Sequence, residues 1–189
     1  MKADNTLSIK EVNKVREKAD CLFTKEEVAS AIESIATKIT RDYQELNPIV
    51  MCIMNGGLIF CGELILHLPI LLELDYAHTS RYRASTDPDN LQWISVPHSS
   101  LENRHVLLVD DILDEGHTLN ALIKACTDQG ASSVKSAVLL NKKHGRKAEP
   151  NLKADYTALE VDDHYVFGYG MDYKGYLRNA QGIYKLNEE

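Results

Sequence analysis

The hydrophobic positions of this chain recur with two spacings along its length. Short runs of apolar and β-branched residues are typical of buried strands, whereas apolar residues three and four positions apart predict helices. Strands are predicted over residues 49–54, 71–77, 91–96, 106–109, 133–140 and 156–161. Helices are predicted over residues 25–43, 58–67 and 118–129. Because strands and helices alternate, the pattern predicts one α/β domain over residues 1–189, with a central, mostly parallel sheet flanked by helices.

Local signals mark the ends of two of these helices. Thr24 and Glu27 have the spacing of a capping box, in which each side chain accepts a hydrogen bond from the backbone N–H of the other residue. A helix is therefore predicted to begin after Thr24. Gly130 follows the apolar stripe of the 118–129 helix, where a glycine can adopt the left-handed conformation that ends a helix.

One acidic segment combines a strand, a turn and a helix. Four apolar residues lead into Asp110 and Asp111, Asp114 and Gly116 follow in a turn, and the helical pattern begins at Thr118. The backbone N–H groups of a tight turn at a helix N-terminus bind anions, and the helix dipole adds to this attraction. Carboxylates beside a phosphate repel it unless they face ribose hydroxyls or a divalent cation. The segment therefore predicts a site for a phosphorylated sugar, with Mg²⁺ as the expected metal.

Other interpretations of these acids fit the pattern less well. Acidic residues are often solvated in surface turns, but such turns are not typically placed between a buried strand and a helix. The aspartate-rich diphosphate motif of isoprenoid synthases lies inside a helix, which Gly116 and the apolar run oppose. In a receiver-domain phosphoacceptor site, the acids come from separate strand ends.

Composition and charge narrow the function classes. The 189 residues are 44% hydrophobic and 26% charged, as in ordinary globular proteins. A formal net charge of −7 argues against a nucleic-acid-binding surface as the main function. Residues 1–10 lack the apolar run of a signal peptide, and no stretch approaches the roughly 20 apolar residues of a membrane span. The four cysteines lack the spacing of a zinc site, so free thiols in a reducing cytosol are expected.

Two further segments can complete a phosphate-binding site. The turn at Asn55, Gly56 and Gly57 follows a predicted strand and precedes a predicted helix, which places backbone donors where an anion can bind. Residues 79–104 are polar and rich in turn-forming residues, and Tyr82 lies between two arginines near their start. Because a site that transfers an activated sugar must exclude water, we expect residues 79–104 to form a flexible lid.

These motifs resemble those of a known family. Residues 109–119 are similar to the phosphoribosyl-diphosphate motif of type I phosphoribosyltransferases. Residues 165–173, with Arg178 beyond them, are similar to the tail of the hypoxanthine-guanine phosphoribosyltransferases, and Lys142 falls in the matching order. The resemblance runs from about residue 12 to residue 184. It implies the type I phosphoribosyltransferase fold, with a small hood formed by the terminal segments.

The resemblance also implies a reaction and its partners. A pentosyltransferase of this family transfers the 5-phosphoribosyl group from phosphoribosyl diphosphate to hypoxanthine or guanine, giving IMP or GMP and releasing diphosphate. This is a reaction of purine salvage. The resemblance further implies Mg²⁺ as cofactor, a cytoplasmic location, and a homodimer or homotetramer that has neither nucleic acid nor membrane as a partner.

Each matching residue takes an implied role from the family. Asp114 is implied to be the catalytic general base near purine N7. The residues implied to bind the purine are Lys142, which donates to the 6-oxo group, Tyr165, which stacks on the ring, Val166 and Asp172. Those implied to bind phosphoribosyl diphosphate are Gly56, Gly57, Tyr82, Asp110, Asp111, Asp114, Glu115, Gly116, His117, Thr118 and Arg178. Those implied to hold the metal are Asp110, Asp111 and Asp172.

Three residues depart from the family pattern, and other substrates stay open. Asn55 stands where many relatives have lysine, while Glu115 and His117 replace small or neutral residues. The same fold acting on xanthine or uracil is one alternative, and a nucleotide-sensing regulator is another. Because contacts to the 2-position of the purine come partly from backbone groups, hypoxanthine, guanine and xanthine are not ranked by the sequence.

Overall fold

Between residues 25 and 162, the order of helices and strands follows the predicted order. A computed structural model describes residues 7–81 and 91–187, so Tyr82 lies outside the described residues. The helices are α1 (Ile9–Lys18), α2 (Lys25–Tyr43), α3 (Leu58–Leu66) and α4 (His117–Asp128). The strands are β1 (Asp20–Thr24), β2 (Ile49–Met54), β3 (Glu73–Arg81), β4 (Leu91–Ser95), β5 (His105–Leu113), β6 (Ser133–Lys143), β7 (Tyr156–Asp162), β8 (Val166–Phe167) and β9 (Gly182–Lys185).

The central sheet has six strands in the order β4-β3-β2-β5-β6-β7. All neighbouring pairs are parallel except β3 and β4, which are antiparallel. The predicted mostly parallel sheet is therefore confirmed. Because β2, β5 and β6 run in the same direction, their carboxyl ends meet at one edge, where ligands bind in sheets of this kind.

Successive residues of the central strands face two different helix layers. On β5, Leu107 and Val109 pack into the cluster that contains the apolar residues of α2 and α3. Val106 and Leu108 pack into the cluster that contains the apolar residues of α4. Both faces of the sheet are thus buried, which explains why the strand reads as a continuous apolar run.

A second, smaller sheet joins the two ends of the chain. Its three strands have the order β1-β9-β8, and both pairs are antiparallel. This sheet is the hood that the family resemblance implied. It brings the Val166 region close to the carboxyl edge of the central sheet, because the segment after β8 continues to Gly170, which packs on Gly56.

Several predicted boundaries were wrong. β5 continues through Asp110 and Asp111 to Leu113, since its pairing with β6 continues as far as Leu113 and Asn141. The first two acids therefore belong to the strand and not to the turn. β6 likewise extends to Lys143, α4 begins one residue before Thr118, and β3 spans 73–81 instead of 71–77.

The predicted helix ends were confirmed, and one helix was missed. Thr24 and Glu27 make both capping-box hydrogen bonds, and Gly130 ends α4 with φ +83°. Helix α1 was not predicted, although Ser8 and Glu11 form the same capping box at its start. Within the described residues, no helix is long and apolar enough to cross a membrane.

The predicted lid is partly regular structure. Residues 79–104 begin inside β3 and include β4, which pairs with it. Residues 82–90 lie outside the described residues. Beyond β4, the carboxylate of Asp75 accepts hydrogen bonds from the backbone N–H groups of His98 and Ser99, both at 2.8 Å. These bonds attach the end of the lid segment to β3.

Candidate active site

A cleft of about 430 Å³ lies at the carboxyl edge of the central sheet. It is bounded by the ends of β2 and β5, the turn before α4, and the tail segment that follows β8. Ten of the residues implied by the family resemblance line it: Gly56, Asp110, Asp111, Asp114, Glu115, Gly116, His117, Thr118, Asp172 and Arg178. The sequence motifs from three separate segments therefore meet at one site.

The turn before α4 has the geometry of an anion cradle. Gly116 adopts φ +86°, and a Cβ atom at this position would lie 2.3 Å from the Leu152 side chain. Only glycine fits here for both reasons. Gly116 is also the N-cap of α4 and offers no side chain to cap it. The first N–H groups of α4, with the Thr118 hydroxyl, are therefore directed to the cleft end where a phosphate would bind.

Glu115 lies beside His117 within the same turn. Its carboxylate lies 3.6 Å from Nε2 of His117, and both side chains are partly exposed. The two departures from the family pattern thus form a pair.

Asp110 and Asp111 form a coupled acidic pair at the floor of the cleft. Asp110 Oδ1 accepts a hydrogen bond of 2.9 Å from the Asp111 backbone N–H. Burial and the neighbouring Asp111 charge raise the pKa of Asp110 well above its usual value. Burial also raises the pKa of Asp111. Two buried acids this close favour a bound cation or hydroxyl donors as partners.

The Gly56 turn packs directly against this pair. A Cβ atom at Gly56 would lie 2.2 Å from Asp111 Oδ2. A Cβ atom at Gly57 would lie 2.6 Å from the carbonyl oxygen of Val109. The two glycines therefore allow the backbone after β2 to lie against β5.

Arg178 connects the tail segment to the acidic pair. Its guanidinium donates a hydrogen bond of 2.6 Å to the Gly170 carbonyl and pairs with Asp172 Oδ1 at 2.5 Å. It also lies 4.0 Å from Asp111 Oδ2. Asp172 accepts a further hydrogen bond of 2.7 Å from the Gly175 backbone N–H. A guanidinium held in this way is fixed at the cleft wall, where it can reach a diphosphate.

The residues implied to bind the purine lie beside the cleft. Tyr165 is half exposed, and its hydroxyl donates a hydrogen bond of 3.1 Å to the Asp172 carbonyl. Its ring also contacts Tyr173 edge to face at 5.9 Å between ring centroids. Val166 is buried in the hood sheet. An exposed ring on a fixed backbone is suited to stacking on a flat base.

Asp114 is held by two side chains from β6 and the loop that follows it. Lys142 Nζ lies 2.9 Å from Asp114 Oδ2, and His144 Nε2 lies 2.7 Å from Asp114 Oδ1. Burial opposes ionisation of Asp114, but the hydrogen bonds from Lys142 and His144 outweigh it and lower the pKa of the carboxyl. Asp114 is therefore an anion at neutral pH, as a general base must be.

Two residues of this region were not predicted. His144 was overlooked, although it is two residues beyond Lys142. Lys147 was overlooked as well: its Nζ donates to the carbonyls of Leu113 and Asp114 at 2.9 and 2.6 Å and thereby fixes the turn. The only signal was a basic stretch directly after a strand that ends at the ligand-binding edge. Because the stretch forms a loop, no periodicity indicated which side chains point to Asp114.

Asp114, His144 and Asp163 bring possible metal-ligand atoms within 4.8 Å of one another. However, the carboxylates of this group already have cationic partners. Lys142 pairs with Asp114, and Arg146 pairs with Asp163 through both guanidinium nitrogens. Within the described residues, this cluster is therefore an internally neutralised network, distinct from the Asp110 and Asp111 pair.

Comparison with known proteins points to one family. Residues 19–174 match the family model described as phosphoribosyl transferase domain. The hypoxanthine-guanine phosphoribosyltransferase of Streptococcus pneumoniae is 36% identical over 169 residues, which cover 89% of this chain and 93% of that protein. The hypoxanthine-guanine-xanthine phosphoribosyltransferase of Tritrichomonas foetus is 32% identical over 167 residues, covering 88% and 91%.

Solved structures agree with these sequence matches. A crystal structure of a hypoxanthine phosphoribosyltransferase from Staphylococcus aureus superposes with a TM-score of 0.85 and 28% identity. The match covers 96% of this chain and 97% of the other. The similarity therefore includes the hood sheet as well as the central sheet.

Proposed function

The chain belongs to the phosphoribosyltransferase family, and we propose that its cleft transfers the 5-phosphoribosyl group from phosphoribosyl diphosphate to hypoxanthine or guanine. The products are IMP or GMP and diphosphate, as in purine salvage. The observation that carries this proposal is the pairing of Asp114 with Lys142 beside the anion cradle of α4. A proton acceptor and a donor suited to a 6-oxopurine thus lie next to a site suited to a sugar phosphate. Relatives named for this reaction support it.

Each bond change has a residue placed to assist it. The bond between C1 of the ribose and the diphosphate oxygen breaks, and the diphosphate leaves with the electron pair. Purine N9 forms the new bond to C1, while the proton that the purine loses from N7 passes to Asp114. Arg178 and the turn amides at Gly56 stabilise the charge on the leaving group, which is the largest electrostatic demand of the step.

Lys142 accounts for the choice of a 6-oxopurine. Its ammonium donates a hydrogen bond to the 6-oxo group, whereas adenine presents an amino group that is itself a donor. Two buried donors facing each other are strongly unfavourable, so adenine is rejected. Lys142 is almost completely buried, with 12% of its side chain exposed, which strengthens this discrimination.

The acidic residues of the cleft fit Mg²⁺. Asp111 is buried and Asp110 is partly buried. Both have raised pKa values and supply oxygen ligands, which are the ligands that Mg²⁺ prefers. Asp172 offers another carboxylate at the cleft wall. We assign these three residues to the metal. When bound, Mg²⁺ neutralises the diphosphate and aids its departure.

We propose that an exposed apolar surface of this chain binds a second copy of the same chain. Leu58, Ile65, Leu74 and Tyr76 line a groove of about 470 Å³ between α3 and β3. Leu66, at the end of α3, is 83% exposed. A two-fold dimer would bury this surface against its own copy, which is the commonest assembly of such surfaces. Light scattering after gel filtration tests this: Leu58→Glu should give monomers if the groove is the interface, and an unchanged mass would exclude it.

We further propose that the protein works in the cytoplasm. Cys21, Cys52, Cys61 and Cys126 are all free thiols, and three of them are buried in the core. Free buried thiols are typical of a reducing compartment. Fractionation of the native source, with detection of the chain by antibody, tests this assignment.

A panel of bases tests the proposed activity. The protein is incubated with phosphoribosyl diphosphate, Mg²⁺ and one base at a time, and nucleotide and diphosphate are measured. Hypoxanthine and guanine should react, and adenine and uracil should not. Xanthine is included because the Tritrichomonas foetus relative carries it in its name. If no 6-oxopurine gives nucleotide, the proposed function is wrong.

A further inference from the structure

His144 lies behind the proposed general base and is almost completely buried. Only 4% of its side chain is exposed, and its Nε2 lies 2.7 Å from Asp114 Oδ1. The other ring nitrogen, Nδ1, accepts a hydrogen bond of 3.1 Å from the backbone N–H of Arg146. Because a backbone N–H can only donate, Nδ1 carries no proton. The ring is thus neutral, with its single proton on Nε2 and directed to Asp114.

Two lysines bind Asp114 directly, and one separate ion pair lies beside them. Lys142 binds the second carboxylate oxygen, Oδ2, at 2.9 Å, and Lys147 binds the backbone carbonyl of Asp114 at 2.6 Å. Arg146 and Asp163 form a bidentate ion pair next to them, with distances of 2.5 and 3.0 Å. Each carboxylate oxygen of Asp114 therefore has one fixed donor and keeps a lone pair for the substrate.

The same loop links the base to the purine side of the cleft. Arg146 binds His144 through its backbone and Asp163 through its side chain. Asp163 is only two residues before Tyr165, the residue proposed to stack on the purine. These contacts link the position of Asp114 to the segment of Tyr165. Tyr165 is proposed to stack on the purine, and Asp114 is proposed to accept the proton of that purine.

We propose that His144 is a positioning residue that fixes the orientation of Asp114 through its Nε2–H, and that it is not a proton relay. This inference rests on the proposed function, in which Asp114 is the general base. If the ring accepted a second proton at Nδ1, it would lose the hydrogen bond from Arg146. The proton taken from the purine therefore stays on Asp114. Fixing the carboxylate in advance lowers the entropic cost of reaching the reactive geometry.

Two substitutions of His144 distinguish a role in orienting Asp114 from a role in packing alone. His144→Leu removes the donor to Asp114, whereas His144→Gln retains a donor near the position of Nε2. His105→Gln is the matched control, because His105 is a partly buried, hydrogen-bonded histidine at the opposite end of β5. For each variant, kcat and the KM values for hypoxanthine and phosphoribosyl diphosphate are measured across pH, and circular dichroism verifies folding.

We expect kcat of His144→Leu to fall roughly tenfold, since a hydrogen bond to a charged group is lost. The KM for phosphoribosyl diphosphate should change little, because the phosphate turn is untouched. The acidic limb of the kcat profile should move up by about one pH unit, since Asp114 loses a donor that favours its ionised form. His144→Gln should recover most of kcat and reverse this shift. If His144→Leu behaves like His105→Gln, or if His144→Gln is as impaired as His144→Leu, the inference is wrong.

A second measurement does not depend on activity. Nitrogen-15 NMR of histidine-labelled protein distinguishes the two ring tautomers, and the His144→Gln spectrum identifies the signals of His144. A neutral ring protonated at Nε2 supports the inference, whereas a ring protonated at Nδ1 contradicts it. Absence of transfer by the wild-type protein would instead contradict the proposed function and would leave this NMR result standing.

Discussion

Lys142 Nζ lies 2.9 Å from Asp114 Oδ2, so the group proposed to read the purine and the group proposed to accept its proton form one ion pair. Lys142 lies on β6 and Asp114 follows β5, and these neighbouring parallel strands place both at the same edge. In the proposed reaction, the 6-oxo and N7 atoms of the base face a donor and an acceptor side by side. The proposal therefore couples recognition and catalysis through a single contact.

Substituting Lys142 tests this coupling. Lys142→Gln should lower kcat/KM for hypoxanthine about 10- to 100-fold, because a charge-assisted hydrogen bond to the base is lost. It should also raise the acidic limb of the pH profile, since the ammonium helps to lower the pKa of Asp114. Lys143→Gln is the control, because Lys143 is exposed and pairs with Glu160. Equal activity of the two variants would contradict the role of Lys142.

Gly56 should tolerate no side chain. Gly56→Ala would place a methyl group 2.2 Å from a carboxylate oxygen of Asp111, so either the turn or the Asp111 carboxylate must move. We expect the KM for phosphoribosyl diphosphate to rise at least tenfold, because a displacement of this size disrupts an oriented site.

Gly62→Ala provides the comparison for Gly56→Ala. A Cβ atom at Gly62, inside α3, would meet nothing within 4 Å. This variant should keep its KM, and the free energy of unfolding should rise by about 0.5–1 kcal/mol, because alanine favours a helix over glycine. Steady-state kinetics with phosphoribosyl diphosphate measure the KM, and chemical denaturation measures the free energy of unfolding. An unchanged KM of Gly56→Ala would show that the turn does not contact this ligand.

Asp75 should contribute to stability instead of catalysis. Burial opposes its ionisation, but hydrogen bonds from the backbone N–H groups of Ser99, Tyr76 and His98 outweigh it and lower the pKa of Asp75. Asp75→Ala leaves three donors without their acceptor and should lower the free energy of unfolding by about 2–4 kcal/mol. Glu73→Ala, which removes an exposed ion pair with Arg104, should cost about 1 kcal/mol or less.

The pH dependence of stability gives a second test of Asp75. Because its pKa is lower in the folded state than in the unfolded chain, the wild type binds fewer protons when folded. Its contribution to stability is thus complete above the unfolded pKa of about 4 and is lost as the pH falls through the lower folded value. Urea denaturation between pH 7 and pH 3 should show that Asp75→Ala loses less stability than the wild type in this range. An equal loss in both proteins would contradict the role of Asp75.

Binding of phosphoribosyl diphosphate should depend on the guanidinium geometry of Arg178 and not only on its charge. Arg178→Lys keeps a cation but cannot bind the Gly170 carbonyl and Asp172 together, as the two guanidinium nitrogens do. We expect the KM for phosphoribosyl diphosphate to rise about tenfold, with a smaller effect on the KM for hypoxanthine. Arg41→Lys, on the exposed surface of α2, should leave both constants unchanged. Equal kinetics of the two variants would show that Arg178 does not act at the diphosphate.

The sequence predicted the parts of the fold that depend on local patterns. Continuous apolar runs identified β2 and β5, period-3.6 spacing identified α2 and α4, and the capping box of Thr24 placed a helix start. The boundary at Asp110 was wrong because pairing with β6 decides where β5 ends, and pairing is a long-range property. The start of α1 was missed despite a local signal, since its apolar face is weak and only Val12 is buried.

The site residues also separate into those that a sequence motif identified and those whose contacts depend on the folded chain. Motifs of mixed residue types identified Asp114, Lys142 and Arg178, which the structure brings to one edge. His144 was missed because its role comes from a contact between neighbouring strand ends and from a ring tautomer that depends on the Arg146 backbone. The role of Tyr82, outside the described residues, stays a prediction.

The most direct test of the account is the turnover of Asp114→Asn with hypoxanthine, phosphoribosyl diphosphate and Mg²⁺. Asparagine has nearly the same shape as aspartate but cannot accept the purine proton. Asp128→Asn, on the exposed face of α4, is the control and should retain full activity. We expect kcat of Asp114→Asn to fall by about 10²–10⁴-fold, the usual contribution of a general base. A kcat within a few-fold of the wild type would contradict the assignment of Asp114 and with it the proposed chemistry.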